Sequence, residues 1–177
     1  MNGCFKTSLV KFTTRIPMKK IVQINVKPNI PMEHGIPKIS VNTVMLLESG
    51  LEGDYNNFRT NKKDQNPDMA VLVYPIETIH ELNEEGWPIK PGDLGENFTI
   101  KGFPHSHFSP NQQYQIGECL IEISYECDPC RNLSVLPYIG KSKINEFIKT
   151  LMQRRGWYAR VLKKGIVKQN GLIKQIQ

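Results

Sequence analysis

Two cysteines at the end of a strand-like segment have the clearest capacity for chemistry in this chain. Cys127 and Cys130 stand in the stretch CDPC, with an aspartate and a proline between them. A tight turn does not require thiols, because glycine, proline and asparagine form turns by backbone geometry alone. The spacing leaves three interpretations open: a redox dithiol, half of a metal site, or one core thiol beside one reactive thiol.

Strand parity separates the two thiols. The apolar positions of the preceding segment alternate, and they are Cys119, Ile121, Ile123, Tyr125 and Cys127. Successive side chains of a strand point to opposite faces, so this set is expected to face inward. A free cysteine packs as a small hydrophobic residue. Cys119 and Cys127 are therefore predicted to be core thiols.

Cys130 is expected to differ from them. Pro129 cannot donate a hydrogen bond to a sheet ladder, so we predict that the strand ends there. Cys130 then lies in a connection beside Arg131. A neighbouring guanidinium lowers the pKa of a thiol and favours the thiolate, which is the form that attacks electrophiles or binds metals. Cys130 is therefore the predicted reactive thiol.

The two other interpretations of CDPC each require a further feature of the chain, a helix that begins at the motif or a second pair of metal ligands. A thioredoxin-type site places the motif at the start of a helix, and the following residues RNLSVLPYIG are not a clear helix opening. A structural zinc site needs a second pair of ligands at suitable spacing. His105 and His107 are the nearby candidates, but the prolines on either side of them favour a solvated loop.

The elements that must position these residues are mostly strands. Short alternating or β-branched segments are KIVQINV, ISVNTVMLL, MAVLVY, NFTIKG, QYQIGECLIEISYEC, WYARVLKKGIV and LIKQI. Two helices are predicted: PIETIHELNEEG, with Pro75 in its first turn, and SKINEFIKTLMQRRG, capped by Gly156. These elements do not alternate as βαβ units. We predict a mainly β fold, a mixed or antiparallel β-barrel with a few peripheral helices.

Length and composition limit the class of protein. The 177 residues suggest one domain, and no apolar run approaches the length of a membrane span. The net charge of +6 is spread along the chain, whereas nucleic-acid binders usually concentrate their charge. We therefore expect no membrane and no nucleic-acid partner, and a charge balance compatible with an anionic small ligand. Four unevenly placed cysteines do not form a disulfide framework, which favours a reducing, cytoplasmic location.

The N-terminal segment carries a weak targeting signal. Residues 1–17 contain Lys6, Lys11 and Arg15 but no acid, a composition compatible with an organelle transit peptide. Arginine is sparse and no clear amphipathic helix follows, so a disordered or over-extended start is the favoured interpretation. Residues 18–177 are then the predicted single barrel domain.

The order of the motifs is similar to that of a known family. GIPK, GLEGDY, MAVLVYPIETIHEL, PGDLGEN, IGECLIEI, DPC and RRGWYARVL follow one another as in the small stand-alone proteins of the MOSC domain family. That family is named for the C-terminal domain of molybdenum cofactor sulfurase. The resemblance runs from about Gly35 to the C-terminus, and its most specific parts are 91–97, 129–130 and 154–162.

The resemblance implies a barrel that holds a molybdenum-pterin cofactor, with Cys130 as the metal ligand and catalytic residue. Some members reduce N-hydroxylated compounds, which implies an oxidoreductase acting on small N-oxygenated substrates. Because the chain has no flavin, iron–sulfur or haem motif, electrons would come from an external donor protein. Pyridoxal phosphate is not expected, since it belongs to a separate domain of the sulfurases. The alternatives are a sulfur carrier with a persulfide on Cys130 and a binding barrel without chemistry.

An anionic pterin cofactor also requires binding residues around the metal ligand. The predicted ones are Asp54, Glu96, Asn97, Arg131, Arg155 and Trp157. A guanidinium fork suits a phosphate, and an amide such as that of Asn97 both donates and accepts toward a pterin. Asp54 is a turn residue first and a site residue second. Trp157 is open to two interpretations, core packing or a stacking wall for a flat ring.

Overall fold

Short segments rich in β-branched residues form the strands of the molecule, as their side chains favour. The computed structural model describes residues 18–176, so the predictions for residues 1–17 lie outside it. Its strands are β1 (Lys20–Val26), β2 (Ile39–Val41), β3 (Thr43–Leu47), β4 (Gly50–Leu51), β5 (Val71–Pro75), β6 (Phe98–Lys101), β7 (Gln113–Ile116), β8 (Cys119–Glu126), β9 (Trp157–Lys163), β10 (Gly165–Lys168) and β11 (Ile173–Gln175). Its helices are α1 (Asn57–Lys62), α2 (Ile76–Glu84) and α3 (Gly140–Thr150).

The strands form one large sheet and one small sheet. The large sheet has eight strands in the order β11-β7-β8-β9-β5-β6-β1-β2, and the small one has the order β10-β3-β4. Strands β5 and β6 run parallel. The other pairs in the large sheet are antiparallel. The prediction of a mainly β, mixed architecture with few helices is therefore confirmed.

The predicted closed barrel is not found within residues 18–176. Strands β2 and β11 are the edges of the large sheet and do not pair with each other. The start of β1 approaches the chain before β11, where Lys20 and Leu172 form one isolated bridge. The amide of Ile21 also donates to the carbonyl of Gly171 at 2.9 Å. A single bridge is not a ladder, and β11 is only three residues long, so the sheet curls without closing.

The buried apolar residues form two clusters. The larger one lies among the strands and includes Ile21, Phe98 and Tyr114. The second joins the sheet to helices α2 and α3, where the rings of Trp87 and Phe147 lie 4.7 Å apart. This second cluster also buries Leu133 of the short 3-10 segment that follows Cys130, and so anchors the chain beyond the CDPC motif.

The start of helix α2 agrees with the sequence prediction, whereas the end of helix α3 does not. Helix α2 begins directly after Pro75, as predicted. Helix α3 ends at Thr150, so Gly156 does not cap it as expected. Gly156 has φ +91°, and a Cβ there would lie 2.7 Å from the carbonyl oxygen of Val73. Glycine is needed at this position for a close approach to β5, just before the chain enters β9.

Three predicted strand segments each divide into two strands, and they are ISVNTVMLL, QYQIGECLIEISYEC and WYARVLKKGIV. Helix α1 was not predicted, and it is capped by the side chain of Asn56, which accepts from the amide of Arg59 at 3.0 Å. None of the helices within 18–176 has the length and apolar character to cross a membrane.

Candidate functional site

A cleft of about 830 Å³ opens at the end of β8 and contains the CDPC motif. One side is formed by the chain around Cys127 and Cys130, together with Arg155 and Tyr158. The opposite side is formed by residues 27–36, by Lys38 and by residues 55–58 at the start of α1. The volume is within the range of small-molecule and cofactor sites in proteins.

The two cysteines of the motif have different environments, as strand parity predicted. Cys119 and Cys127 are buried and Cys130 is exposed, and all three are free thiols. The backbone amide of Cys127 donates to Gly156 at 2.8 Å, which ties the motif to the turn before β9. Tyr125 departs from the parity prediction, because it is 38% exposed. The register of β8 against β9 shifts just before it, and such a bulge turns the following side chains.

Arg155 is the buried cation of the cleft. Its side chain lines the cleft although the residue is only 6% exposed. Its Nη2 donates to the carbonyl oxygen of Leu94, while Nε and Nη1 have no hydrogen-bond partner in the described part of the chain. A buried donor without a partner costs about 1–3 kcal/mol, and more when it is charged. The guanidinium therefore has unused capacity for an anionic ligand.

A second buried cation, Lys38, lies on the opposite side of the cleft. Its Nζ is 2.7 Å from Oδ2 of Asp54, and the two side chains are 5% and 8% exposed. The same Oδ2 accepts a hydrogen bond from Nδ2 of Asn97 at 2.8 Å. Burial lowers the pKa of Lys38, and the nearby Asp54 carboxylate opposes that shift. Lys38 and Arg155 are thus two buried cations that line the same cleft.

The predicted residues Asp54, Glu96 and Asn97 lie behind the cleft lining. Oδ1 of Asn97 accepts from the amide of Leu72 at 3.0 Å, which joins this network to β5. Oε1 of Glu96 accepts from the amide of Gly92 at 2.6 Å, so the carboxyl holds the PGDLGEN turn. Burial raises the pKa of Glu96. These contacts place the three residues as supports of the cleft, and their contact with a cofactor stays a prediction.

The predicted residues Arg131 and Trp157 also lie outside the lining. Arg131 is exposed and donates to Oδ1 of Asn145 at 3.0 Å. The indole of Trp157 donates to the backbone oxygen of His105 at 3.3 Å, and its ring packs near His105 and Phe108. The structure thus brings Cys130 and Arg155 together in the cleft and leaves the other predicted residues around or behind it.

The two nearby histidines do not form a metal site with the cysteines. His105 accepts from the amide of Gly156 at 3.3 Å, and Nε2 of His107 lies 2.9 Å from Gln175. Both are half-buried in a 3-10 turn, so the predicted solvated loop is wrong in this respect. Within residues 18–176 no group of three or more His, Cys, Asp or Glu side chains is arranged to hold a metal ion.

Lys38 and Tyr158 are cleft residues that the sequence did not single out. Burial raises the pKa of Tyr158, and its interaction with Cys127 raises it further, so the hydroxyl keeps its proton. Tyr158 stands in the RRGWYARVL motif next to Trp157, and its position in the motif was an available signal. Lys38 stands in the GIPK motif and had the same signal, but its ion pair with Asp54, sixteen residues away in the chain, is a tertiary contact.

Comparisons with known proteins agree with the order of the motifs. The MOSC domain model matches residues 60–173 of this chain. The chain is similar to the protein YflK of Bacillus subtilis, with 29% identity over 140 residues, 77% of this chain and 60% of YflK. It is similar to the protein YiiM of Escherichia coli, with 33% identity over 104 residues, 56% of this chain and 46% of YiiM. The matches thus span less than two thirds of either curated relative.

Solved structures share the fold. YiiM from Geobacillus stearothermophilus superposes with a TM-score of 0.67 at 24% identity, covering 90% of this chain and 75% of that one. The YUAD protein from Bacillus subtilis has a TM-score of 0.71 at 16% identity, covering 89% of this chain and 95% of that one. At these identities the likeness shows the fold alone.

Proposed function

Because the chain belongs to the MOSC domain family, we propose that it is a molybdenum-cofactor-binding oxidoreductase. Its proposed substrates are small N-hydroxylated or other N-oxygenated compounds. One observation carries the proposal: the buried Arg155, with two unpartnered N–H groups, shares a cleft with the exposed thiol of Cys130. A cation for an anionic cofactor and a soft ligand for its metal are therefore present together.

The charges of the cleft favour a phosphate-bearing ligand. Arg155 has unused donors at Nε and Nη1, and a guanidinium binds phosphate through paired N–H groups. Lys38 adds a second buried cation, whose charge is already balanced by Asp54. Arg155 has no acidic side chain within ion-pair distance in the described chain, so it is the cation that lacks a partner.

The cleft offers few metal-ligating side chains, which favours a metal whose organic cofactor supplies most of its ligands. Residues 18–176 hold no cluster of three metal-ligating side chains, but they present one exposed thiol in the cleft. Thiolate is a soft ligand of the kind that suits a molybdenum–dithiolene centre. A single protein ligand is sufficient where an organic cofactor supplies the remaining sulfur atoms.

The proposed division of roles follows from these positions. When bound, the molybdenum cofactor would supply two-electron chemistry at the oxygen of the substrate. Cys130 would hold the metal, and Arg155 would hold the anionic part of the cofactor. The Tyr158 hydroxyl stays protonated and adds no negative charge beside the anion. Electrons would arrive from an external donor protein.

The mouth of the cleft favours a substrate with an apolar body. Four exposed apolar side chains line it, and they are Ile30, Met32, Phe58 and Tyr125. Apolar surface at an opening gains free energy when a ligand covers it, at about 25 cal/mol per Å². We therefore infer that apolar N-hydroxylated compounds bind better than small polar ones.

The test is the molybdenum and pterin content of the protein purified without oxygen from a host that makes the cofactor. The wild type should carry about one molybdenum per chain, held by a thiolate ligand. Cys130→Ala should lose the metal, whereas Cys119→Ala removes a buried thiol outside the cleft and should keep it. A wild type without molybdenum and pterin under these conditions would overturn the proposal.

A second candidate function is sulfur transfer through a persulfide on Cys130. The exposure of this thiol favours it, because a partner could reach Cys130 directly. A carrier of this kind need not retain molybdenum. Cyanide-labile sulfur on Cys130 in metal-free wild-type protein would support sulfur transfer, and its absence would exclude it as the resting form.

A further inference from the structure

The proposed function uses Cys130 and gives no role to Cys127. Cys127 is only 5% exposed, yet it lines the same cleft three residues before Cys130. Both are free thiols, and they lie at the two ends of one CDPC stretch in the same cleft. The remaining described cysteine, Cys119, belongs to the apolar cluster between the strands and does not line this cleft.

The surroundings of Cys127 are those of a thiol that can react. Tyr158 and Arg155 line the cleft beside Cys127, and the thiol of Cys127 donates to the carbonyl oxygen of Asp128 at 3.5 Å. Burial raises the pKa of Cys127, so the thiol is protonated at rest. The cation and the hydroxyl act in the opposite direction and stabilise the thiolate when it forms. A thiol that only filled the core would need neither partner.

The backbone holds the two thiols in one turn. The amide of Cys127 donates to Gly156 at 2.8 Å, and the carbonyl of Cys130 accepts from Leu133 at 3.3 Å. Leu133 is fully buried in the second apolar cluster. Both ends of the CDPC turn are therefore anchored, while Cys130 itself stays exposed at the opening of the cleft.

We propose that Cys127 and Cys130 form a redox-active dithiol that reacts with low-molecular-weight disulfides in the cleft. The thiolate of Cys130 attacks one sulfur of R–S–S–R, a mixed disulfide forms, and RS⁻ leaves. The sulfur of Cys127 then attacks Sγ of Cys130, the mixed disulfide breaks, and the second RS group leaves with the proton of Cys127. The two thiols lose two electrons in total, and one external disulfide becomes two thiols.

This inference goes beyond the proposed function, because every step uses groups of the chain and the external disulfide alone. It has one consequence for that function. While the Cys127–Cys130 disulfide is closed, Cys130 is not available as a metal ligand. An external dithiol such as dithiothreitol would reopen the pair by the same exchange.

The experiment uses the aromatic disulfide DTNB, whose released nitrothiobenzoate is coloured. All proteins carry Cys4→Ser, so that the N-terminal thiol does not contribute. The parent protein should release about two nitrothiobenzoates per chain and retain no adduct, because the second step is intramolecular. Mass spectrometry of its peptides should then show a bond between Cys127 and Cys130.

Matched variants separate a resolving thiol from a core thiol. Cys127→Ser and Cys127→Ala should each release about one nitrothiobenzoate and keep the other on Cys130 as a stable adduct. Cys119→Ser should behave like the parent protein. Circular dichroism checks that each variant is folded. The serine and alanine variants of Cys127 pack differently, so the same result in both excludes a packing effect as its cause. A parent protein that keeps a nitrothiobenzoate on Cys130 and forms no Cys127–Cys130 bond would overturn the inference.

Discussion

The two sides of the cleft differ in origin and in construction. The thiol wall (Cys127, Cys130, Arg155 and Tyr158) lies within residues 60–173, the part that matches the MOSC domain. The apolar wall (Ile30, Met32 and Phe58) precedes residue 60 and lies outside that match. The groups with chemical capacity thus come from the family part, and much of the binding surface comes from the segment before it.

The two walls are also held differently. The thiol wall is anchored to the β8–β9 ladder and to buried partners, including the contact of Arg155 with Leu94. In the apolar wall, Ile30 and Met32 lie on a turn in which the backbone amide of Glu33 donates to the carbonyl of Ile30 at 3.1 Å, Phe58 lies on α1, and all three side chains are exposed. We infer that the thiol wall positions the reacting groups, whereas the apolar wall determines which substrates bind.

Asp54 is the first place to test this division, because its partner Lys38 lines the cleft before residue 60 but is buried, as Cys127 and Arg155 of the thiol wall are. Asp54→Asn leaves the buried ammonium of Lys38 without a counter-charge. Such a loss costs about 3–5 kcal/mol in the free energy of unfolding. Urea denaturation measures it.

The matched control is Glu33→Gln, which breaks the pair of Lys27 with a half-exposed carboxylate. That change should cost at most about 1 kcal/mol, as exposed pairs do. Equal losses in Asp54→Asn and Glu33→Gln would show that burial does not distinguish the two pairs.

Arg155→Met separates the effect of this side chain on protein stability from its effect on cofactor binding. Two buried N–H groups without partners cost about 1–3 kcal/mol each, so their removal should stabilise the cofactor-free protein. The same variant should lose the molybdenum and pterin of the purified protein. Thermal unfolding and elemental analysis measure the two effects.

Arg154→Met is the control, because the neighbouring side chain pairs with Glu85 at the surface. It should keep the cofactor and lose at most about 1 kcal/mol of stability. If Arg154→Met and Arg155→Met retained equal amounts of cofactor, Arg155 would not be the anion-binding group.

Phe58→Ser tests the apolar wall. Phe58 is 49% exposed at the cleft mouth, and loss of its contact with an apolar substrate should cost about 1 kcal/mol. KM for an apolar N-hydroxylated compound should then rise roughly fivefold with kcat unchanged. Met152→Ser removes an exposed apolar side chain away from the cleft and should change neither parameter. A fall in kcat alone would contradict the assignment of the apolar wall to substrate binding.

Glu96→Gln should give the smallest effect, on the pH dependence of stability. Burial raises the pKa of Glu96 in the folded protein above its ordinary value of 4.5. The folded state therefore binds this proton more tightly than the unfolded state. This difference adds to the free energy of unfolding, and the added stability is fully present below pH 4.5. It is lost as pH rises through the folded-state pKa. Denaturation at several pH values should show a weaker dependence in Glu96→Gln, and an unchanged dependence would exclude Glu96 as its source.

Local periodicity explains what could be predicted from the sequence. The alternation before the CDPC motif predicted buried Cys119 and Cys127, and Pro129 predicted that Cys130 lies in the connection after the strand, all confirmed. Helix α2 likewise begins where Pro75 indicates. The prediction that Tyr125 faces inward was wrong. A bulge is a property of two paired strands, and the sequence of one strand alone does not reveal it.

Arg154 and Arg155 show what only the tertiary structure decided. Both are the same residue type in one motif, so the sequence by itself determined that cations stand near the start of β9. Packing of the turn against Leu94 buried one and left the other at the surface with Glu85. The open edges of the large sheet and the roles of Lys38 and Asp54 were decided in the same way. Such features depend on contacts between distant residues, whereas strand alternation and proline effects act over a few neighbouring positions.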